Sequence, residues 1–217
     1  MRSFLQALAV VAIINALGVY LIVSSRTPDV IDQQVALETI FGGKENIDII
    51  SAAESIEVFK LDARLIFEFD REGLETLGFE TVYGYPIVQG PQPAEAILAE
   101  ILREDISNPA LYTHIGAVSM CIFQPDYLIR FRKNASEVDL LISFAHCPEI
   151  RVYSNGKQIE YEEVEIGEGN FVRKVYPGFG NFDRDPKRVH HALEFFFPLW
   201  GGKEETVNQL VESTVGS

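Results

Sequence analysis

The sequence has few of the residues and motifs that usually carry chemistry. Its 217 residues include two cysteines, four histidines and one tryptophan. It contains no Gly-x-Ser-x-Gly elbow, no glycine-rich phosphate loop and no His-Glu-x-x-His pair. These absences exclude the common motifs of serine hydrolases, nucleotide-binding proteins and zinc peptidases. The sequence therefore predicts no catalytic residue, no cofactor and no metal site.

Positive charge is also scarce. The chain has 18 Lys and Arg residues against 32 Asp and Glu residues. Arg2 and Arg26 lie outside the part of the chain after Arg26. That part holds 16 basic and 32 acidic residues, a formal charge of −16. Nucleic acid and anionic lipid headgroups would both be repelled by such a surface, so neither is an expected partner.

One long stretch has no charge at all. It runs from Phe4 to Val23, between Arg2 and Arg26. A helix of about 20 residues spans roughly 30 Å, the hydrocarbon thickness of a bilayer. We therefore expect residues 1–26 to be a retained transmembrane anchor. A cleaved signal peptide is the alternative, with a weak cleavage site at Val23–Ser25. The absence of a cysteine near the end of the stretch excludes a lipoprotein.

The charges that flank this stretch predict its orientation. Arg2 and the terminal amine face the single Arg26, so the positive-inside rule places the N-terminus in the cytoplasm. The remaining chain is then exported across a bacterial cytoplasmic membrane to the periplasmic, extracytoplasmic side.

Small residues line one side of the predicted membrane helix. They allow close helix approach, and a mid-bilayer amide favours a hydrogen-bonding partner. This side predicts a docking face for another membrane subunit, and a plain anchor is the alternative. Its residues are Ala9, Ala12, Asn15 and Ala16.

The pattern after the anchor predicts an α+β fold. Residues 27–51 are expected to form a linker with a helix over Val30–Phe41, and residues 52–217 one extracytoplasmic domain. This domain is expected to be an antiparallel sheet, a meander of hairpins, flanked by helices. Predicted strands cover Ile56–Leu61 and Tyr83–Val88, and predicted helices cover Pro91–Asp105, Pro186–Phe197 and Lys203–Glu212. The segment Asp62–Glu80 has an ambiguous pattern, in which Arg64–Phe69 is readable as a strand.

Alternation of apolar and polar residues predicts two hairpins. The first joins strands on either side of Lys133–Ser136, and the second turns at Asn155-Gly156. If Arg132 pairs with Glu137, the numbers of paired residues sum to 269. Extension of that register brings the two cysteines, Cys121 and Cys147, to within one residue of each other.

Two neighbouring cysteines in an exported domain favour a disulfide between Cys121 and Cys147. A reduced, buried pair in a cytosolic domain is one alternative. A metal or redox site with His146 and His114 is another, although the spacing is not that of a zinc site. His190-His191 is expected to be a surface pair on a helix.

The tail carries three consecutive phenylalanines and the single tryptophan. One helical stripe cannot bury all three phenylalanines, so part of the segment should be exposed or meet a partner. The alternative is packing between the last helix and the sheet. The candidate residues are Phe195, Phe196, Phe197 and Trp200.

Three segments resemble a group of uncharacterised bacterial exported proteins and lipoproteins. They are Cys121–Tyr127, then Val138–Phe144 followed by Cys147, then Ile150–Tyr153. The resemblance implies an exported α+β domain and carries no known function. Asp126-Tyr127 and Ser143 stand where the group usually has Arg-His and a cysteine, so thiol or metal chemistry is not implied here.

These observations predict a non-enzymatic, membrane-anchored accessory or scaffolding subunit that docks on a larger membrane complex. An extracytoplasmic metal-binding, thiol-dependent or hydrolytic enzyme domain is the alternative. Its candidate residues would be Cys121, Cys147 and His146.

Overall fold

A computed structural model describes the central part of the chain in several ranges. These are residues 30–68, 71–112, 122–144, 148–159, 164–166, 173–175, 178–182 and 186–196. The predicted membrane anchor and the predicted helix Lys203–Glu212 lie outside the described residues. No helix within the described ranges is long and apolar enough to span a membrane.

The described ranges contain six α-helices and a short 3-10 turn at Pro109–Leu111. The α-helices are α1 (Val30–Ile40), α2 (Lys44–Ser51), α3 (Leu65–Glu68), α4 (Arg71–Thr76), α5 (Ala96–Ile106) and α6 (Lys187–Phe196).

Ten described strands form one large sheet and one small hairpin. They are β1 (Ser55–Leu61), β2 (Thr81–Val82), β3 (Tyr85–Pro93), β4 (Tyr127–Lys133), β5 (Ser136–Ser143), β6 (Glu149–Ser154), β7 (Lys157–Gln158), β8 (Val164–Ile166), β9 (Arg173–Val175) and β10 (Phe179–Asn181).

The large sheet is antiparallel throughout, in the order β10-β6-β5-β4-β1-β3-β2, with β7 beside β6. Strands β8 and β9 pair only with each other. The predicted α+β class is therefore confirmed. The sheet is a meander through β4, β5, β6 and β7, and the order is broken on the other side because β1 lies between β3 and β4.

The predicted register of the first hairpin is confirmed. Arg132 pairs with Glu137, and every other pair of β4 and β5 follows the same sum. Its turn places Asn134 at φ 53°. The second hairpin turns at Asn155 and Gly156, with φ of 48° and 76°. Both turns suit residues that tolerate the left-handed region.

The main core lies between one face of the sheet and four helices. Strand residues such as Val58, Ile129 and Leu140 are fully buried there. Helices α1, α2, α5 and α6 contribute to the same cluster. Leu37 and Phe41, at the end of the predicted linker helix, are at most 1% exposed. The segment expected as a linker is thus packed into the core of the domain.

The prediction of a strand over Arg64–Phe69 is wrong, because α3 covers Leu65–Glu68. The carboxylate of Asp62 accepts hydrogen bonds from both the backbone N–H and the side chain of Arg64, which turns the chain. Leu65 is then buried in a small cluster with Leu74, Phe79 and Val88.

The helix predicted from Pro91 begins later than expected. Pairing of β1 with β3 continues to Pro93, and α5 begins at Ala96. Within α5, Leu98, Ala99 and Leu102 are buried, whereas Ile97 is 65% exposed. The ladder of hydrogen bonds to β1 overrides the local helical pattern.

Candidate functional site

Several predicted site residues lie outside the described ranges. The predicted docking side of the membrane helix, the cysteines Cys121 and Cys147, and the histidines His114 and His146 all belong to this group. The described residues contain no group of three or more His, Asp or Glu side chains that could hold a metal ion. The disulfide therefore stays a prediction.

The aromatic tail divides between packing and exposure. Helix α6 buries Val189, Ala192 and Leu193, and Phe196 packs against the same core. Phe195 points away from this stripe and is 77% exposed. Its ring meets that of Phe196 edge-on, with centroids 5.1 Å apart. The prediction that one helical stripe cannot bury the whole segment is confirmed here; Phe197 and Trp200 lie outside the described residues.

The sheet's second face, opposite the main core, is unusually polar. We use the name second face for the residues, every other one along each strand, whose side chains do not point to the helices. It carries charged side chains from β1, β4, β5 and β6, together with aromatic and aliphatic ones. Its residues are Glu57, Phe59, Leu61, Leu128, Arg130, Arg132, Glu137, Asp139, Leu141, Ser143, Glu149, Arg151 and Tyr153.

Asp139 lies at the centre of this face and is 1% exposed. Arg130, its cross-strand neighbour, donates from Nε and Nη2 to the two carboxylate oxygens at 2.9 and 2.8 Å. The Tyr83 hydroxyl donates to Oδ2 of Asp139 at 2.7 Å. The guanidinium carbon of Arg130 lies 5.3 Å from the centre of the Phe59 ring. A buried charge is thus compensated by two hydrogen-bonding partners.

The hydrogen bonds and burial around Asp139 change the acidity of its partners. Hydrogen bonding to Asp139 raises the pKa of the Arg130 guanidinium. Burial, followed by the bond to Asp139, raises the pKa of the Tyr83 hydroxyl. Both groups therefore hold their protons throughout the physiological range, which favours a structural role for their hydrogen bonds to Asp139.

Tyr83 reaches this network from a strained turn. Strands β2 and β3 are joined by Tyr83 and Gly84, and both have positive φ, of 52° and 84°. For tyrosine this conformation costs about 1–2 kcal/mol. The ring of Tyr83 stacks on Tyr153 with centroids 3.8 Å apart and planes 20° from parallel. Stacking and the bond to Asp139 offset the strain.

A second buried carboxylate lies farther along the same face. Glu149 is 2% exposed, and Nε of Arg151 donates to its Oε1 at 3.3 Å. Across the ladder from Glu149 is Ser143, whose buried hydroxyl has no hydrogen-bond partner among the described residues. Burial raises the pKa of Glu149 to about 7, and Arg151 opposes that shift. The charge of Glu149 can therefore change near neutral pH.

A cleft of about 310 Å³ lies beside α6, at the ends of β1 and β4. His190 of α6 stacks on Phe144, with ring centroids 4.4 Å apart, and its Nε2 lies 3.5 Å from Oε1 of Glu194. The carboxylate of Asp126 accepts from the backbone N–H of Phe144 at 2.7 Å. Lys60, at the end of β1, also lines it. His190 is half-buried in this cleft, so the expected surface pair is only partly exposed.

The charged side chains of the second face were not among the candidate site residues predicted from the sequence. The signal was present, because the predicted register places Arg130 opposite Asp139 and Arg132 opposite Glu137. Arg132 also reaches Glu57 on β1 at 2.8 Å. The position of Tyr83, 56 residues before Asp139, had no such signal.

Comparison with known proteins adds no relative to these observations. No family model, no curated protein and no solved structure matches the chain.

Proposed function

We propose that this protein is a non-enzymatic accessory subunit, anchored in a bacterial cytoplasmic membrane, whose extracytoplasmic domain docks on a larger membrane complex. The anchor is supported by the 20-residue charge-free stretch from Phe4 to Val23. The small-residue side with Ala12 and Asn15 would contact a neighbouring membrane helix.

The observation that carries the proposal is the exposure of Phe195. A phenylalanine that is 77% exposed leaves most of its apolar surface in water. The same helix buries three other apolar side chains, so its outward ring is not required for folding. Aromatic side chains of this kind are enriched at the centres of protein interfaces.

The charge of the domain indicates the chemistry of the partner. Its formal −16 disfavours docking on anionic headgroups and favours a protein surface with basic residues. The charged side chains described on the second face pair with one another, as with Arg130–Asp139 and Arg132–Glu137. This internal pairing supports a structural role for that face.

The test is isolation of the native protein in mild detergent, followed by mass spectrometry of the proteins that co-purify. We expect a stoichiometric set of membrane subunits. The F195S substitution should reduce their recovery, because it removes the exposed ring and leaves the buried stripe intact. L77S is the matched control, since Leu77 is also exposed, at 41%, but lies beyond α4.

Two results would contradict the proposal. One is a monomer with no companion subunits. The other is equal recovery of companions with F195S and L77S, which would remove Phe195 as the docking residue. Substitution of Asn15 by leucine tests the membrane contact separately, because it leaves the extracytoplasmic domain unchanged.

A further inference from the structure

The cleft beside α6 lies next to the exposed Phe195. Glu194, which lines the cleft, directly precedes Phe195 in the chain, so their Cα atoms are about 3.8 Å apart. A partner surface that contacts Phe195 is therefore within reach of the cleft. The volume of the cleft, about 310 Å³, is at the small end of the range for ligand pockets. It suits a single side chain of that partner better than a helix or a strand.

Aromatic rings make up part of the lining of the cleft. The ring of His190 stacks on that of Phe144, with planes 17° from parallel and centroids 4.4 Å apart. Tyr127 also lines the cleft, and its ring meets that of Phe144 edge-on at a centroid distance of 6.1 Å. Flat rings favour a planar cation that can stack on them, and the guanidinium group of arginine is such a cation.

Acidic side chains outnumber basic ones in the lining. The acidic ones are Asp62, Asp126 and Glu194, and the basic ones are Lys60 and Arg64. Arg64 donates from Nε and Nη2 to the two carboxylate oxygens of Asp62, so these two charges largely cancel. With its histidine neutral, the lining carries a formal charge of −1, within a domain of formal charge −16. Such a field attracts a cationic group and repels an anionic one.

The carboxylates of Asp126 and Glu194 differ in exposure. Asp126 is half-buried, and its Oδ2 accepts a hydrogen bond from the backbone N–H of Phe144 at 2.7 Å. The side chain of Glu194 is 57% exposed, and its Oε1 lies 3.5 Å from Nε2 of His190. Glu194 is therefore the carboxylate that an entering side chain meets first, and it lies beside a ring on which that side chain can stack.

On the basis of the proposed function, we infer that the cleft receives an arginine side chain of the partner subunit. Its guanidinium forms an ion pair with Glu194 and stacks on the ring of His190. Lysine suits the cleft less well, because an ammonium group is a compact charge without a planar face. Arginine is enriched among the residues that dominate binding energy at protein interfaces. We therefore expect the partner surface to place an arginine next to the apolar side chain that covers Phe195.

An NMR titration of the full chain in neutral detergent tests the chemistry of the cleft. The probe is N-acetyl-arginine amide, and the chain carries isotope-labelled histidine, with the His190 resonance assigned by its loss in H190Q. We expect this resonance to shift with a dissociation constant on the order of 1–10 mM, because the probe makes one exposed ion pair and one ring contact. N-acetyl-citrulline amide, which has a similar shape without the charge, should bind about tenfold more weakly.

The role of Glu194 in this binding is tested with a matched control. E194Q should weaken binding of the arginine probe about fivefold, since it removes the ion pair. E104Q should leave the binding unchanged, because Glu104 is similarly exposed, at 55%, but lies on α5 outside the cleft. N-acetyl-aspartate amide is the anionic probe, and the charge of the lining should prevent its binding.

Isolation of the native complex in mild detergent tests the occupant of the cleft. E194K should reduce recovery of the companion subunits about tenfold, because it places like charges together, whereas E104K should not reduce it. A positive charge is favourable near the C-terminal end of a helix, so E194K is compatible with α6. Circular dichroism of both variants checks that they are folded.

Three results overturn the inference. The first is equal binding of the arginine and citrulline probes. The second is tighter binding of the aspartate probe, which would assign the cleft to an anion. The third is equal recovery of companion subunits with E194K and E104K, which would leave the proposed function intact. A monomer without companions in the unsubstituted protein contradicts the proposed function itself, so the two failures are distinguishable.

Discussion

Asp139 and Glu149 are both nearly inaccessible carboxylates on one face of one sheet, yet their charges are compensated very differently. Asp139 receives two hydrogen bonds from Arg130 and one from Tyr83. Glu149 receives one long hydrogen bond from Arg151. The first accepts three hydrogen bonds, and the second can gain or lose its proton near pH 7. Two buried carboxylates on the same face therefore affect stability differently, because only one of them is well compensated by hydrogen bonds.

The first residue-scale prediction concerns D139N. This change leaves the shape of the side chain but removes the charge that faces Arg130, so a half-buried guanidinium loses the nearer of its two carboxylate partners and keeps only Glu137, at 3.3 Å. The free energy of unfolding should fall by about 3 kcal/mol. Urea unfolding of the full chain in detergent, followed by circular dichroism, measures it. E104Q is the control, because the Glu104–Arg188 pair is exposed and should contribute nothing measurable. Equal losses in both variants would contradict the prediction.

The second residue-scale prediction concerns stability against pH. The pKa of Glu149 is about 7 in the folded protein, against an ordinary value of 4.5. Between these values the folded state holds one more proton than the unfolded state, so the free energy of unfolding falls as pH rises. The loss should amount to about 2–3 kcal/mol and end near pH 7.

The E149Q variant should lack this slope. It should be more stable than the unsubstituted protein at pH 7.5 and no more stable at pH 4.5, as measured by urea midpoints at the two values. Parallel curves for the two proteins across this window would show that the carboxyl is not the titrating group.

At the scale of elements, the close approach of β3 to β1 depends on Gly90. Its φ is +105°, and an added Cβ would lie 2.7 Å from the carbonyl oxygen of Val58 and 3.0 Å from Cα of Phe59. Backbone atoms cannot move aside as a flexible side chain can. G90A should therefore reduce the free energy of unfolding by at least about 2 kcal/mol.

The matched control for G90A is G78A. Gly78 also has positive φ, of +78°, but an added Cβ would meet nothing within 4 Å. Only the conformational cost of about 1 kcal/mol should appear in that variant. Thermal and urea unfolding of both variants measure the difference. If G78A is as destabilising as G90A, the contact with β1 is not the cause.

Elements whose apolar residues repeat with one clear period were predictable from the sequence. Elements without such a period were not. The hairpin β4–β5 followed from alternation, and the helix predicted over Pro186–Phe197 is present as α6. Residues 64–69 lie in a segment whose pattern is ambiguous, and they were readable as a strand. A turn at Asp62 and burial of Leu65 made the segment a short helix instead.

The predicted disulfide belongs to the scale of the whole molecule, because it joins two segments of the domain and would indicate that the domain lies in an oxidising compartment. Titration of the unfolded chain should find no free thiol before reduction and two after it. Reduction should lower the free energy of unfolding by about 3 kcal/mol, since the bridge restricts the unfolded chain. Two free thiols in protein taken directly from intact cells would contradict the prediction. Stoichiometric zinc in the purified protein would instead favour the metal-site alternative.

The sequence by itself determined the features that depend on neighbours along the chain. These are the charge-free stretch from Phe4 to Val23, the acidic remainder, the α+β class and the register that pairs Arg132 with Glu137. Periodicity and charge are local properties, and a hairpin carries its pairing rule in its turn.

Only the tertiary structure decided which distant residues meet. It placed β1 between β3 and β4, brought Tyr83 to Asp139, buried Glu149 and left Phe195 in water. Such contacts depend on how separate elements pack around a shared core. The free energy that selects them, through desolvation and close packing, is spread over many residues and leaves no pattern at any one position.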